Sequence, residues 1–161
     1  MKEEAKMQTP DRAQDLVAHL GLPAPDQIGF VVNDMDAAVR LYEPLFGPFT
    51  RPDFGDQKAA YRGAEPTSYV LDFAFGSLGG LEIELIQWIS GDTPHRDFVQ
   101  SGREGMHHLR FRVDDLQQWT AKLATAGYEP VWAAQITDTI GFAYFERAGD
   151  SLLIELLQLP E

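Results

Sequence analysis

From residue 26 onward, apolar positions fall in two alternating rhythms. Period-2 runs appear at Ile28, Phe30 and Val32, across Tyr69 to Phe75 and Leu81 to Trp88, at Leu109, Phe111 and Val113, and across Gly141 to Glu146 and Ser151 to Leu157. Such runs place alternate side chains on one face and predict half-buried strands. Two stretches follow the helical rhythm instead. Met35, Ala38, Val39 and Tyr42 share one face behind Asp34, and Leu116, Trp119, Thr120 and Leu123 share one face behind Asp115. Each aspartate sits where a side-chain oxygen can cap the first turn, and Gln118 is placed for a capping box. Gly79-Gly80 and Arg147-Ala148-Gly149-Asp150 read as hairpin turns. Ahead of all this, Asp11 to Leu20 carries Leu16, Val17 and Leu20 at helical spacing before a Gly-Leu-Pro-Ala-Pro stop, which predicts an appended N-terminal helix.

The order of these elements contains an internal repeat. Asp26 to Met35 aligns with His107 to Leu116, an apolar strand running into an acidic helix start; Leu81-Glu-Ile-Glu-Leu-Ile-Gln87 aligns with Leu152-Leu-Ile-Glu-Leu-Leu-Gln158. Each copy reads as strand, helix, then two or three strands. Two such copies can pair their sheets into a curved surface with the helices outside, which makes the fold α+β with a pseudo-twofold. The expected organisation is an extension over 1–25 and a domain over 26–161, with module one at about 26–90 and module two at about 105–158.

Strand parity then sorts the polar residues. Gln27 lies opposite the Ile28, Phe30 and Val32 face, and His108 lies opposite the face shared by His107, Leu109, Phe111 and Val113. Glu84 opposes Leu81, Ile83 and Leu85, and Glu155 opposes Leu152, Ile154 and Leu156. All four point away from these apolar faces, and the repeat places ligand-type residues at matching positions twice. Two carboxylates, an imidazole and an amide oxygen suit a borderline or hard divalent ion with positions left open for water or substrate.

Composition narrows the field. The 161-residue chain has no cysteine, which removes disulfides, thiolate metal sites and thiol nucleophiles together and fits a reducing, cytoplasmic setting. A net charge of −12 opposes binding to phosphate backbones, so no nucleic-acid partner is expected. Apolar runs are interrupted by charges well short of the roughly twenty residues that span a bilayer, so no membrane partner is expected either.

The strand-acid-helix starts, the Gly105-Met-His-His-Leu-Arg-Phe-Arg-Val-Asp-Asp115 segment and the Glu-Leu-Ile-Gln and Glu-Leu-Leu-Gln strand ends resemble the vicinal oxygen chelate superfamily, which includes glyoxalase I and methylmalonyl-CoA epimerase. The likeness covers about residues 26 to 158. The stretch from Ile83 to Asp115, with Ser90-Gly-Asp-Thr-Pro94, a helix around Phe98 and the Gly-Met-His-His turn, is most similar to methylmalonyl-CoA epimerases. The resemblance implies paired βαβββ modules and a divalent ion (Zn, Co, Ni, Mn or Mg) held by Gln27, Glu84, His108 and Glu155. His108 rather than His107 is the ligand, because His108 aligns with Gln27. Epimerases usually carry histidine at the first position, whereas some glyoxalase I enzymes carry glutamine.

What the resemblance implies about activity is an isomerase or lyase that removes a proton next to a carbonyl and stabilises the resulting enediolate. Glu155 serves as base and Asp72 as a second acid. Arg110 and Arg112, on the His108 face, are candidates for a substrate carboxylate or phosphate, or for cross-strand pairing with Glu82 or Asp72. The expected substrate is a small carbonyl compound or thioester, in its sharpest version a 2-methyl-branched acyl-CoA. Glyoxalase-like chemistry on a thiol adduct and a metal-free small-molecule binding module remain open, and members of the superfamily often pair as homodimers.

Overall fold

The computed structural model describes residues 20–160; the expected helix over Asp11 to Leu20 lies, apart from its last residue, outside the described residues. The first module runs β1 (Gln27–Val31), α1 (Met35–Phe46), β2 (Gln57–Tyr61), β3 (Thr67–Leu78) and β4 (Leu81–Ser90). A short helix α2 (Pro94–Gln100) links it to the second module: β5 (Gly105–Val113), α3 (Leu116–Thr125), β6 (Tyr128–Gln135), β7 (Gly141–Arg147) and β8 (Leu153–Gln158). The third strand of each copy, β2 or β6, settles the strand count that the pattern alone leaves at two or three.

The eight strands close into a barrel in the order β1-β4-β3-β2-β6-β7-β8-β5. β1 pairs in parallel with β4, and β5 in parallel with β8, so the repeat is realised as one topology used twice. The modules meet along two antiparallel seams. The β1–β5 seam runs the length of β1, whereas β2–β6 consists only of Ala60 opposite Ala133 and Tyr61 opposite Trp132.

The repeated strand ends explain how each helix docks. Gln87, at the end of Glu-Leu-Ile-Gln, accepts the Met35 backbone N–H through Oε1 at 2.8 Å, and Gln158 accepts the Leu116 N–H at 2.7 Å. Asp34 and Asp115 complete the caps by accepting from Ala37 and Gln118, both at 2.9 Å. Each helix start thus has two donors satisfied, one by its own N-cap and one by the strand on which it lies.

Apolar burial falls into three clusters. Met35 and Ala38 of α1 pack on Ile83, Leu85 and Ala74, and Trp119 and Leu123 of α3 pack on Phe111, Val113, Ile154 and Leu156. The third cluster takes nothing from α1 or α3. It joins Val31, Ala59, Tyr69, Leu71, Ile86, Trp132, Phe142 and Tyr144 from six strands with Phe98 of α2, inside the barrel. The curved sheet with helices outside is as expected, and it closes into a barrel-like cleft whose inner face this cluster lines. No helix among the described residues is long and apolar enough to cross a membrane.

Candidate metal centre

Four residues from four strands converge inside the barrel around one atom, His108 Nε2. Glu155 Oε2 lies 3.2 Å from it, Glu84 Oε2 3.3 Å and Gln27 Oε1 3.3 Å. Gln27 and His108 are fully buried and the two glutamates nearly so. Register accounts for the convergence. Gly29 of β1 stands opposite both Glu84 of β4 and His108 of β5, and Glu155 of β8 stands opposite Arg110, two residues along β5 from His108.

The glycine provides the room. A Cβ at position 29 would fall 1.9 Å from His108 Cε1 and 2.4 Å from both ring nitrogens, so the imidazole occupies the volume a side chain would need. Gln27 is oriented from its other side. Its Nε2 donates to Glu82 Oε1 at 2.7 Å, which turns the amide oxygen toward His108. Glu82 also meets Arg110, whose guanidinium makes a two-point contact with Asp26 at 3.0 and 2.9 Å. Tyr144 stands opposite Glu155 in the register, and its hydroxyl lies 3.5 Å from His108 Nε2.

Electrostatically the set is poised between proton and cation. Burial opposes charge on His108, but hydrogen bonds and attraction from Glu155 and Glu84 outweigh it and push its pKa up to about 9. Burial pushes the Glu84 carboxyl up, against the pull of His108. Burial, reinforced by Glu155 and Glu84, also holds Tyr144 well above the ordinary phenol range and Tyr69 at about 12. His95 and His107 are driven the other way, chiefly by burial, so both rings are neutral.

The donor set fits a divalent ion. Ligand atoms about 2.0–2.2 Å from a metal lie about 2.8–3.1 Å apart in an octahedron and about 3.3–3.6 Å in a tetrahedron, and the 3.2–3.3 Å from Nε2 to the three oxygens falls between these. Glu84 Oε2 makes no well-directed hydrogen bond despite its burial, so one lone-pair site faces the set unmet. With no thiolate present, a borderline or hard ion is the match.

Not every residue singled out by pattern reaches this place. Asp72 lies opposite Gln87 on the outer face of β3, with Ala74 and α1, and pairs with Arg51 at 2.8 Å. A bulge between Val70 and Leu71 resets the strand beyond Tyr69, and Leu71 and Phe73, not Asp72, pack with the interior cluster. Arg112 is mostly exposed and bound to Asp26; Arg110 is largely buried, with its charge met by Asp26 and Glu82. Parity picked out the four ligand-type residues but not Gly29 or Tyr144, and Glu82 was expected only as a partner of Arg110 or Arg112, not as the group that orients Gln27. The alignment of Gly29 beside a histidine strand is the one signal that points to a required void.

The chain belongs to the glyoxalase/bleomycin resistance protein/dioxygenase superfamily, whose family model matches residues 26–144. A methylmalonyl-CoA epimerase from Mycobacterium tuberculosis shares the fold with a TM-score of 0.58 at 21% identity, over 87% of this chain and 90% of that one. A Streptomyces coelicolor methylmalonyl-CoA epimerase, in complex with 2-nitronate-propionyl-CoA, gives 0.56 at 19%, over 86% and 95%. A hypothetical protein from Bacillus halodurans C-125 gives 0.56 at 20%, over 86% and 95%. At these identities the likeness is one of fold. No curated protein sequence matches.

Proposed function

We propose that this protein is a metal-dependent isomerase or lyase that removes a proton next to a carbonyl, with Gln27, Glu84, His108 and Glu155 holding the ion. The observation that carries the reading is the approach of three side-chain oxygens to within 3.3 Å of a single buried imidazole nitrogen. A divalent ion held there supplies Lewis-acid stabilisation for negative charge developing on a substrate oxygen.

The chain's own groups supply the rest. Glu155 is the base, since its carboxylate lies 3.2 Å from His108 Nε2 and opposite Tyr144 in the register. With Asp72 on the outer face, a second proton-transfer group on the opposite side falls to Glu84, the pseudo-twofold counterpart of Glu155. Burial raises the affinity of Glu84 for a proton, the property an acid needs. Tyr69, Trp132, Phe142 and Tyr144 exclude water from the reacting atoms.

A small depression of about 120 Å³, lined among others by Arg62, Arg103, Phe98, His107 and Val131, comes as near as His107 to this set but is lined by none of the four ligand residues. An acyl-CoA epimerase is the sharpest version, supported by the epimerase neighbours. A glyoxalase-type lyase acting on a thiol adduct is the second, favoured by glutamine at position 27.

Metal analysis of protein purified without chelator comes first. Stoichiometric divalent metal that is lost in His108→Ala supports the reading, and solvent deuterium uptake at the α-carbon then separates a branched acyl-CoA from a hemithioacetal. A wild type that stays empty after loading with Co, Ni, Zn and Mn overturns it and leaves a small-molecule binding module.

A further inference from the structure

Neighbouring residues on a regular strand point to opposite faces, so His107 and His108 ought to be separated by the sheet. They are not. Along the β1–β5 seam Gly29 stands opposite His108 and Phe30 opposite Met106, which leaves His107 as the extra residue of a β-bulge. Bulges re-aim side chains, and here the two rings approach until their Nδ1 atoms are 3.1 Å apart, nearly perpendicular to each other. Both residues are buried, so no water competes for that contact.

An N···N contact of this length is a hydrogen bond only if one nitrogen carries a proton and the other does not. The neighbours of His108 decide which. Its Nε2 faces Glu84, Glu155 and the Gln27 oxygen, and an imidazole that holds an ion through Nε2 carries its proton on Nδ1, so the Nδ1 of His107 is the acceptor. From this geometry we infer that His107 is a positioning residue: its bare Nδ1 accepts a proton-bearing Nδ1 of His108 and so fixes His108 with Nε2 directed at Glu84, Glu155 and Gln27.

The arrangement has a specific virtue. Nδ1–H of His108 keeps the same partner whether Nε2 carries a proton or a metal ion, so exchanging one for the other requires no ring flip and no rearrangement behind it. His107 is itself clamped, stacked on His95 at 4.7 Å and edge-on to Phe98 at 5.1 Å. The contact therefore runs from the N-terminal end of α2 through His107 to the centre of the barrel. Gly29 blocks the alternative from the other side, because the ring already fills its side-chain volume.

The inference rests on the metal-centre reading for its role, but not for its test. Two-bond ¹⁵N–¹⁵N coupling between the two Nδ1 atoms, measured on the full chain with and without Zn²⁺, reads the bond directly. Coupling with the proton on His108 is expected in both states; no coupling, or the proton on His107, overturns the inference even if no ion binds. Co²⁺ affinity then reads the consequence. His107→Phe keeps the aromatic packing and removes the acceptor, and is expected to bind Co²⁺ about 10- to 100-fold more weakly. His107→Asn returns an acceptor oxygen and is expected to recover at least about half of that loss on a logarithmic scale. Wild-type affinity in His107→Phe sinks the positioning role, and an unfolded His107→Phe leaves the coupling measurement to decide.

Discussion

Gly29 and His108 face each other across the β1–β5 seam so closely that the histidine ring takes the place of a glycine side chain. Gly29→Ala therefore pushes the imidazole away from Glu84, Glu155 and Gln27. Overpacking of this kind costs about 1–3 kcal/mol. A lowered melting temperature, with at least about tenfold weaker Zn²⁺ binding in chelator competition, is the expected result. A variant with unchanged affinity would show that His108 need not sit where it does.

Separating the ligand role from the base role requires two substitutions. His108→Ala is expected to abolish stoichiometric metal. Glu155→Gln keeps an oxygen donor and removes the base, so it is expected to retain bound metal while α-proton exchange falls about 10²- to 10⁴-fold. Metal content and deuterium uptake measured on the same preparations distinguish the two, and equal loss of both in Glu155→Gln defeats the assignment.

The charge on His108 predicts a pH dependence with a definite sign. Its folded pKa, about 9, lies above the unfolded value near 6.5, so the protonated ring stabilises the metal-free fold fully below about pH 6.5 and progressively less as pH rises through about 9. Glu84, Glu155, Tyr144 and His107 are the charged or titratable groups in contact with it, with His95 edge-on at 6.4 Å. Melting temperatures of chelator-treated protein from pH 6 to 9.5 are expected to fall, and those of His108→Gln to stay flatter over that interval. Because an ion must displace the Nε2 proton, apparent metal affinity rises over the same window. A melting temperature that rises with pH in this range contradicts the assignment.

Asp72 provides the contrasting case. Its ion pair with Arg51 is partly exposed, and such pairs are worth about 0–1 kcal/mol. Asp72→Asn is thus expected to change melting temperature by only a degree or two and to leave turnover within about twofold. A hundredfold loss of turnover would bring Asp72 into the chemistry by a route that its present position does not offer.

The contrast between Asp72 and Glu84 shows what the sequence could and could not convey. Glu84 belongs to a long, regular strand repeated almost verbatim as Leu152 to Gln158, so alternation assigned its face correctly, and the duplicated Gln87 and Gln158 reappear as matching helix caps. Asp72 stands beyond a bulge, and a one-residue slip exchanges inside for outside. His107 was misplaced for the same reason: a bulge is a backbone event with no side-chain signature. The partners of Arg110 were partly legible, since Glu82 was the expected cross-strand neighbour, whereas Asp26 lies just before β1 and meets the arginine only when the modules pair. Closure of the barrel was the least visible feature, because it depends on a two-residue seam between β2 and β6, neither of which alternates strongly.

That seam also bears on timing. Every other seam of the barrel wall has a longer ladder, and Glu84 and Glu155 keep less than a tenth of their surface exposed, so a wider way in needs a door. The hinge-like candidate is the stretch where Ala60 and Tyr61 meet Ala133 and Trp132, since breaking the fewest strand contacts costs the least. A guest that enters there is admitted no faster than the seam opens, and past that limit a higher concentration of chelator or substrate hastens nothing.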